Sequence, residues 1–197
     1  MKLIFDPTTH SYRTDQNEEY TSVTKLISRY KPPFDQKTAA AKACRNKKGK
    51  WYGMKVDEII SVWEKESKRS TDLGNWYHDQ RERDLLQCET ITLGGETLCI
   101  HPCEYDQEGR KTAPDQKLGD GVYPELFLYL PSAGIAGQSD RVTISNGKVD
   151  ILDYKTNKEI KTQGFRNYEG ITQKMLYPLS HLDDCNLNHY TVQLSIY

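Results

Sequence analysis

Apolar residues recur at every second position in two short runs, Val142 and Ile144 in one and Val149 and Ile151 in the other, with Asn146-Gly147 between them. Alternation of this kind predicts strands, and Asn-Gly predicts the two-residue type I′ turn that joins them into a hairpin. Counting outward from the turn pairs Ser145 with Lys148, Ile144 with Val149, Val142 with Ile151, and Asp140 with Asp153. The last three pairs share one face, apolar near the turn and acidic at its far end, and Lys155 falls on that face two residues past Asp153. Just upstream, YPELFLYL is apolar on both sides, Leu126-Leu128-Leu130 on one and Phe127-Tyr129 on the other. That pattern predicts a strand covered on both faces and leaves the face of Glu125 open.

The opening reads as a hairpin of KLIFD with HSYR, then a helix in YTSVTKLISRY capped by Thr21 or Ser22. Lys31-Pro32-Pro33-Phe34-Asp35 is a stiff break, KTAAAKAC favours a helix interrupted by Gly49 and Gly53, and 53–68 suggests another helix. Ser70-Thr71 then caps a separate helix over 72–87. Gly94-Gly95 marks a hairpin within 90–100, and a polar, mobile loop runs from about His101 to Gly121. HYTVQLSIY is helical to its last residue with no stop signal, so either the chain is a fragment cut inside a helix or that helix finishes in unusually few residues. The expected architecture is one α/β domain with a small mixed sheet flanked by helices. Its N-terminal part, to about residue 90, is largely helical, and the chemistry sits on a sheet at about 120–160.

A length of 197 residues with 36% hydrophobic and 28% charged residues suits one soluble globular domain with a substantial core. No apolar run reaches membrane-spanning length and MKLIFDPTTH lacks the features of a signal peptide, so a cytoplasmic location is expected, in the host cytoplasm if the protein is viral. Five irregularly spaced cysteines predict reduced thiols, and Cys99-x-x-x-Cys103 alone is a poor metal site. The net charge of −1 hides an uneven distribution, because Lys37 to Lys55 contains only basic residues among its charges. Lys42, Arg45, Lys47 and Lys48 are placed to track a phosphate backbone, with Trp51 and Tyr52 available to stack on unpaired bases. A solvated basic helix with its aromatics turned inward fits that segment equally well.

Opposed side chains on antiparallel strands lie about 5 Å apart at Cβ, and like charges there are unfavourable unless compensated. A divalent cation compensates Asp140 and Asp153, and oxygen ligation without Cys or His in the hairpin favours Mg²⁺ or Mn²⁺ over zinc. Lys155 beside such an ion suits orientation of a water or stabilisation of charge on a phosphate, which predicts phosphodiester hydrolysis. The competing reading is a solvated strand end with ordinary surface ion pairs. Gly74, His78 and Glu82 are four apart and share one helical face, as do Gln193 and Tyr197. Glu82 is also explained by an ion pair with a neighbouring arginine on its helix.

Gly137-Gln-Ser-Asp140 followed by Asp153-Tyr-Lys155 resembles the core of the PD-(D/E)XK nuclease superfamily, in the branch of RecB-like nucleases and phage exonucleases. Gly74-x-x-x-His78-x-x-x-Glu82, with Asn75 where Thr is usual, and Gln193-x-x-x-Tyr197 resemble the outer motifs of that branch, in the same order. The resemblance implies a restriction-endonuclease-like core in which Asp140, Asp153, the Tyr154 carbonyl and His78 surround a metal ion and Glu125 binds it or a second ion. It implies that Lys155 positions the hydrolytic water, and that Gln193 and Tyr197 contact nucleic acid or support the lysine. The implied activity is a Mg²⁺- or Mn²⁺-dependent deoxyribonuclease, more an exonuclease than an endonuclease. Its substrate would be single- or double-stranded DNA in recombination, repair or phage DNA processing, with recombination or replication proteins as partners. Some relatives carry an iron–sulfur cluster on cysteines after the last motif; this chain has none there, so no cluster is expected. The rival readings are a non-catalytic nucleic-acid-binding or assembly module with the same fold, and a small-molecule phosphodiesterase.

Overall fold

A computed structural model of the chain describes residues 2–7, 9, 11–113, 117–167 and 169–197. Strands β1 (Leu3–Asp6), β2 (Ser11–Thr14) and β3 (Glu19–Ser22) open the chain, followed by helices α1 (Val23–Ser28), α2 (Gln36–Arg45) and α3 (Val56–Leu86). Then come β4 (Thr90–Leu93), β5 (Glu96–Cys99), β6 (Glu104–Tyr105), β7 (Lys111–Thr112), β8 (Gly121–Leu130), β9 (Ile135–Ser145), β10 (Lys148–Leu152) and α4 (Asn186–Ile196). The class is mixed α/β, as expected, but the sheet is larger than predicted, with eight strands in one mixed sheet among the described residues and β4–β5 as a separate hairpin. The expected N-terminal hairpin forms as β1 with β2, its His10 lying outside the described residues. It joins the later strands because β3 pairs parallel with β9. No helix is long and apolar enough to cross a membrane among the described residues.

The β9–β10 register is the one counted from the turn, with Ser145 opposite Lys148, Ile144 opposite Val149 and Val142 opposite Ile151. Asn146 and Gly147 both have positive φ, 50° and 72°, as a type I′ turn requires. β8 lies along nearly the whole of β9 on one side. On the other side β9 changes partner, from β3 at Ile135–Ala136 to β10 from Arg141 onward. Residues 137–140 face no strand on that side among the described residues, and the sheet forks there. Such a change of strand partner is where α/β sheets open a crevice.

Two predictions about helices and loops are corrected. α3 is continuous over 31 residues, so Ser70-Thr71 is no cap; the Thr71 hydroxyl instead donates to the Ser67 carbonyl one turn back. The polar run between the apolar stretches is exposed and made largely of good helix formers, so nothing in it stops the helix. Capping happens at Lys55, whose backbone N–H donates to the Glu58 carboxylate at 3.2 Å, with Asp57 and Glu58 at the positive end of the dipole. The segment expected as a mobile loop carries β6 and β7, which extend the sheet beyond β1, while 114–116 lie outside the described residues. Leu3, Tyr12, Tyr20 and Phe127 form one core cluster, and Val23 and Ile27 of α1 pack with Met175 and with Tyr197, which caps the last helix.

Candidate metal centre

Asp140 stands in the fork of the sheet. The β8–β9 register, Pro124 to Arg141 and Leu126 to Ser139, places Glu125 across from Asp140. On the opposite flank the β9–β10 ladder ends at Leu152–Arg141, and Asp153 follows one step later, at the level of Asp140. Three carboxylates therefore occupy one row, on β8, on β9 and just past the end of β10. Glu125 leaves the regular strand conformation, with φ of 51°, a left-handed backbone that costs a non-glycine residue about 1–3 kcal/mol. Two partners hold it: the Cys103 thiol donates to the carbonyls of Pro124 and Glu125 at 3.2 and 3.3 Å, and the Gln138 amide donates to the Glu125 carboxylate at 2.6 Å.

α3 brings His78 over this row. Ligand atoms of His78, Glu125 and Asp140 all lie within 4.8 Å of one another, a group that can hold a metal ion. His78 Nδ1 is 2.6 Å from Asp140 Oδ1, and the Tyr154 backbone N–H donates to Asp140 Oδ2, so both oxygens of a carboxylate only 8% exposed are engaged. Asp153 is set apart from this trio. Its oxygens take the Lys155 ammonium on one side and the Gln193 amide, at 3.2 Å, on the other. The predicted ligand set thus divides into a trio, His78, Glu125 and Asp140, and an adjoining pair, Asp153 and Lys155. Tyr154 reaches the site through its amide, and its ring packs edge-on against Tyr77 and His78.

Burial sets the electrostatics. It pushes the Glu125 carboxyl up to about 7, with Lys111 opposing and Asp140 reinforcing the shift. Burial also raises Asp153 against the pull of Lys155, and the hydrogen bond to Asp140 raises His78 despite the burial that opposes it. Desolvation and like charge both disfavour the ionised acids, and a cation among them reverses both effects. The donor set of carboxylates and one imidazole on a half-buried recess fits a divalent ion. That recess, about 670 Å³, is lined by Gly74, His78, Glu125, Asp140, Asp153 and Gln193 among others.

Gln193 and Tyr197 turn inward. Tyr197 donates to the Gln138 carbonyl at 3.0 Å, supplying the partner that the fork denies it, and Gln193 donates to the Tyr197 hydroxyl at 3.0 Å as well as to Asp153. Gly137 is required by this contact, since a Cβ there would lie 2.4 Å from the Tyr197 ring and 3.0 Å from Val23. Gly74 is under no such pressure, with only the Thr156 hydroxyl 3.5 Å from where its Cβ would stand. Glu82 pairs with Lys111 of β7 at 2.9 Å rather than with an arginine of its own helix. Lys42, Arg45, Lys47 and Lys48 are exposed on α2 and the turn after it, and none of them lines the recess. Trp51 packs edge-on against Trp63, so only Tyr52 of the two expected aromatics presents a largely exposed ring. Lys111, Cys103 and Gln138 are the site residues that sequence reasoning missed. Gln138 lay inside the Gly-x-x-Asp stretch, whereas the other two sat in an unpatterned polar segment. Comparison of the chain with known protein families, curated proteins and solved structures finds no match.

Proposed function

We propose that this chain is a divalent-cation-dependent nuclease with a restriction-endonuclease-like core, acting on DNA and releasing nucleotides from an end. One observation carries the reading: Asp140 on β9 stands between Glu125 of β8 and Asp153 just past the end of β10, with His78 above Asp140 and Lys155 paired to Asp153. His78, Glu125 and Asp140 would hold Mg²⁺ or Mn²⁺, hard ions suited to oxygen donors. When bound, such an ion neutralises charge on the scissile phosphate and makes a water more acidic. The Tyr154 amide fixes one oxygen of Asp140 and thereby aims the other at His78. Glu125 and His78 would hold such an ion in their deprotonated forms. Asp153 holds the Lys155 ammonium in place, and Gln193 keeps Asp153 from turning away. Lys155 then orients the attacking water and meets the negative charge developing on the phosphate. The exposed basic face of α2 favours a polyanionic substrate over a small phosphodiester.

The test uses end-labelled single- and double-stranded DNA with Mg²⁺, Mn²⁺ or chelator, beside Asp140→Ala, Asp153→Ala and Lys155→Ala. Cleavage should require the ion and fall at least ~100-fold in each variant, the scale of losing one preorganised catalytic group. Equal cleavage by the parent and all three variants would sink the proposal. Ion-independent DNA binding without cleavage would make the chain a binding module instead.

A further inference from the structure

Phe34 and Trp63 stand side by side with ring centroids 6.4 Å apart, and Trp51 packs edge-on against Trp63 at 6.1 Å. Phe34 is 74% exposed although Val23 and Ile27 of the preceding helix are buried, so its ring is presented to solvent. The two rings border a groove of about 890 Å³ that runs along α3 past Ser67 to Thr71. Thr71 also lines the recess of the metal centre, which makes the two hollows neighbours on one stripe of the helix, Trp63, Ser67, Thr71, Gly74 and His78. Trp63 and His78 are fifteen residues apart, about 22 Å at the helical rise.

Basic residues flank the groove on the side of α2, where Gln36 lines it and Trp51 packs on Trp63, and the acid on that side, Asp35, has its carboxylate taken up by Thr38 at 2.6 and 3.0 Å. α2 and the turn after it carry Lys37, Lys42, Arg45, Lys47, Lys48 and Lys50 with no acidic residue among them, and the Lys50 ammonium lies 4.2 Å from the centre of the Trp51 ring. Inside the groove Lys68 neutralises Asp72 at 2.8 Å, leaving Glu64 as the remaining acid of the lining. Exposed aromatic faces beside a basic track are the means by which proteins hold single-stranded nucleic acid, because only unpaired bases offer their faces for stacking. We infer that this groove holds a single-stranded stretch of DNA, with a base stacked on Phe34 and Trp63 while the strand runs along α3 to the metal centre. A stacked strand rises about 3.4 Å per nucleotide, so the anchored base sits roughly six nucleotides from the scissile phosphate, or fewer when the strand is extended. The identity of the occupant rests on the nuclease reading above.

The experiment separates the two claims by measuring binding where nothing can be cut. Fluorescein-labelled oligo(dT) of twelve and of three nucleotides is titrated with the full chain in chelator, at one fixed salt concentration, and followed by anisotropy. Phe34→Ala should weaken binding of the longer strand roughly five- to 150-fold, the range for removing a base-stacking aromatic. Phe34→Trp should restore it, and the difference between long and short strands should shrink in Phe34→Ala. Thermal melts of both variants check the fold. Phe34→Ala binding the longer strand within twofold of the parent overturns the inference. So does a parent dimer that Phe34→Ala converts to monomers at unchanged oligonucleotide affinity, which assigns the groove to a second copy. A stacking loss without cleavage in the nuclease assay keeps the groove and removes the nuclease, whereas cleavage with no effect of Phe34 removes the groove alone.

Discussion

Replacing Glu125 with Gln should stabilise the metal-free protein at alkaline pH, because it removes a buried charge and keeps an acceptor for Gln138. The carboxyl ionises at about 7 in the folded chain against 4.5 as its ordinary value. Below pH 4.5 it is protonated whether the chain is folded or not, and its burial costs little. Between 4.5 and 7 the unfolded chain releases the proton first, so folding weakens as pH rises, and above 7 the loss is complete. The gap corresponds to about 3 kcal/mol, and Gln avoids it. A chain of this size shifts its melting point by about 2–4 °C per kcal/mol, so Glu125→Gln should melt about 6–12 °C above the parent at pH 8 and close to it at pH 5. Millimolar Mn²⁺ should reverse the order, since the parent gains stability by binding the ion and the variant has lost one of three ligands. The assay is thermal unfolding at pH 5, 6.5 and 8, in chelator and in Mn²⁺. A variant less stable than the parent at pH 8 in chelator, or one that gains as much from Mn²⁺, would refute the reasoning.

Three further outcomes follow from the same packing. Gly137→Ala sets a methyl 2.4 Å from the Tyr197 ring and should cost about 1–3 kcal/mol by urea unfolding, with part of that recovered when Tyr197→Ala is added. Lys111→Met leaves Glu82 and Glu125 without their cation; it raises the Glu125 carboxyl further, so the stability lost, about 2 kcal/mol, should be larger at pH 8 than at pH 5 in thermal melts. Gln193→Ala releases Asp153, which holds the Lys155 ammonium, and should lower cleavage about 10–100-fold, the scale of losing an outer partner of a site, while unfolding free energy changes by only about 1 kcal/mol; unaltered cleavage would contradict that role.

The hairpin was legible because its turn chemistry and its alternation agree, and one residue of slip would have turned every side chain to the wrong face. The face of Glu125 was not legible: Leu126 and Phe127 are both buried, so alternation along β8 carries no preference, and the positive φ at Glu125 leaves no signature in the pattern. The trio depends on that departure from strand geometry, which is why counting along the hairpin pointed only to Asp140 with Asp153 and the resemblance alone added His78 and Glu125, the two residues the structure gathers with Asp140. Ser70-Thr71 misled because the preference of these residues for caps is local, whereas an exposed, polar helix interior tolerates them. Lys111 reaches the site through β7, a two-residue strand in a polar segment too short to show any period. Gln193 and Tyr197 were singled out by the resemblance, their spacing showing only that they share a helical face, and only the fork in the sheet explains why a tyrosine hydroxyl must reach the Gln138 carbonyl.

Crystals grown with Mn²⁺ and measured at the manganese edge test the central claim most directly. The account predicts an anomalous peak bounded by His78, Glu125 and Asp140, with oxygen ligands at about 2.1–2.3 Å, and no peak in Asp140→Ala. A peak elsewhere, or His78 still hydrogen-bonded to Asp140 with no ion between His78 and the two carboxylates, would contradict it.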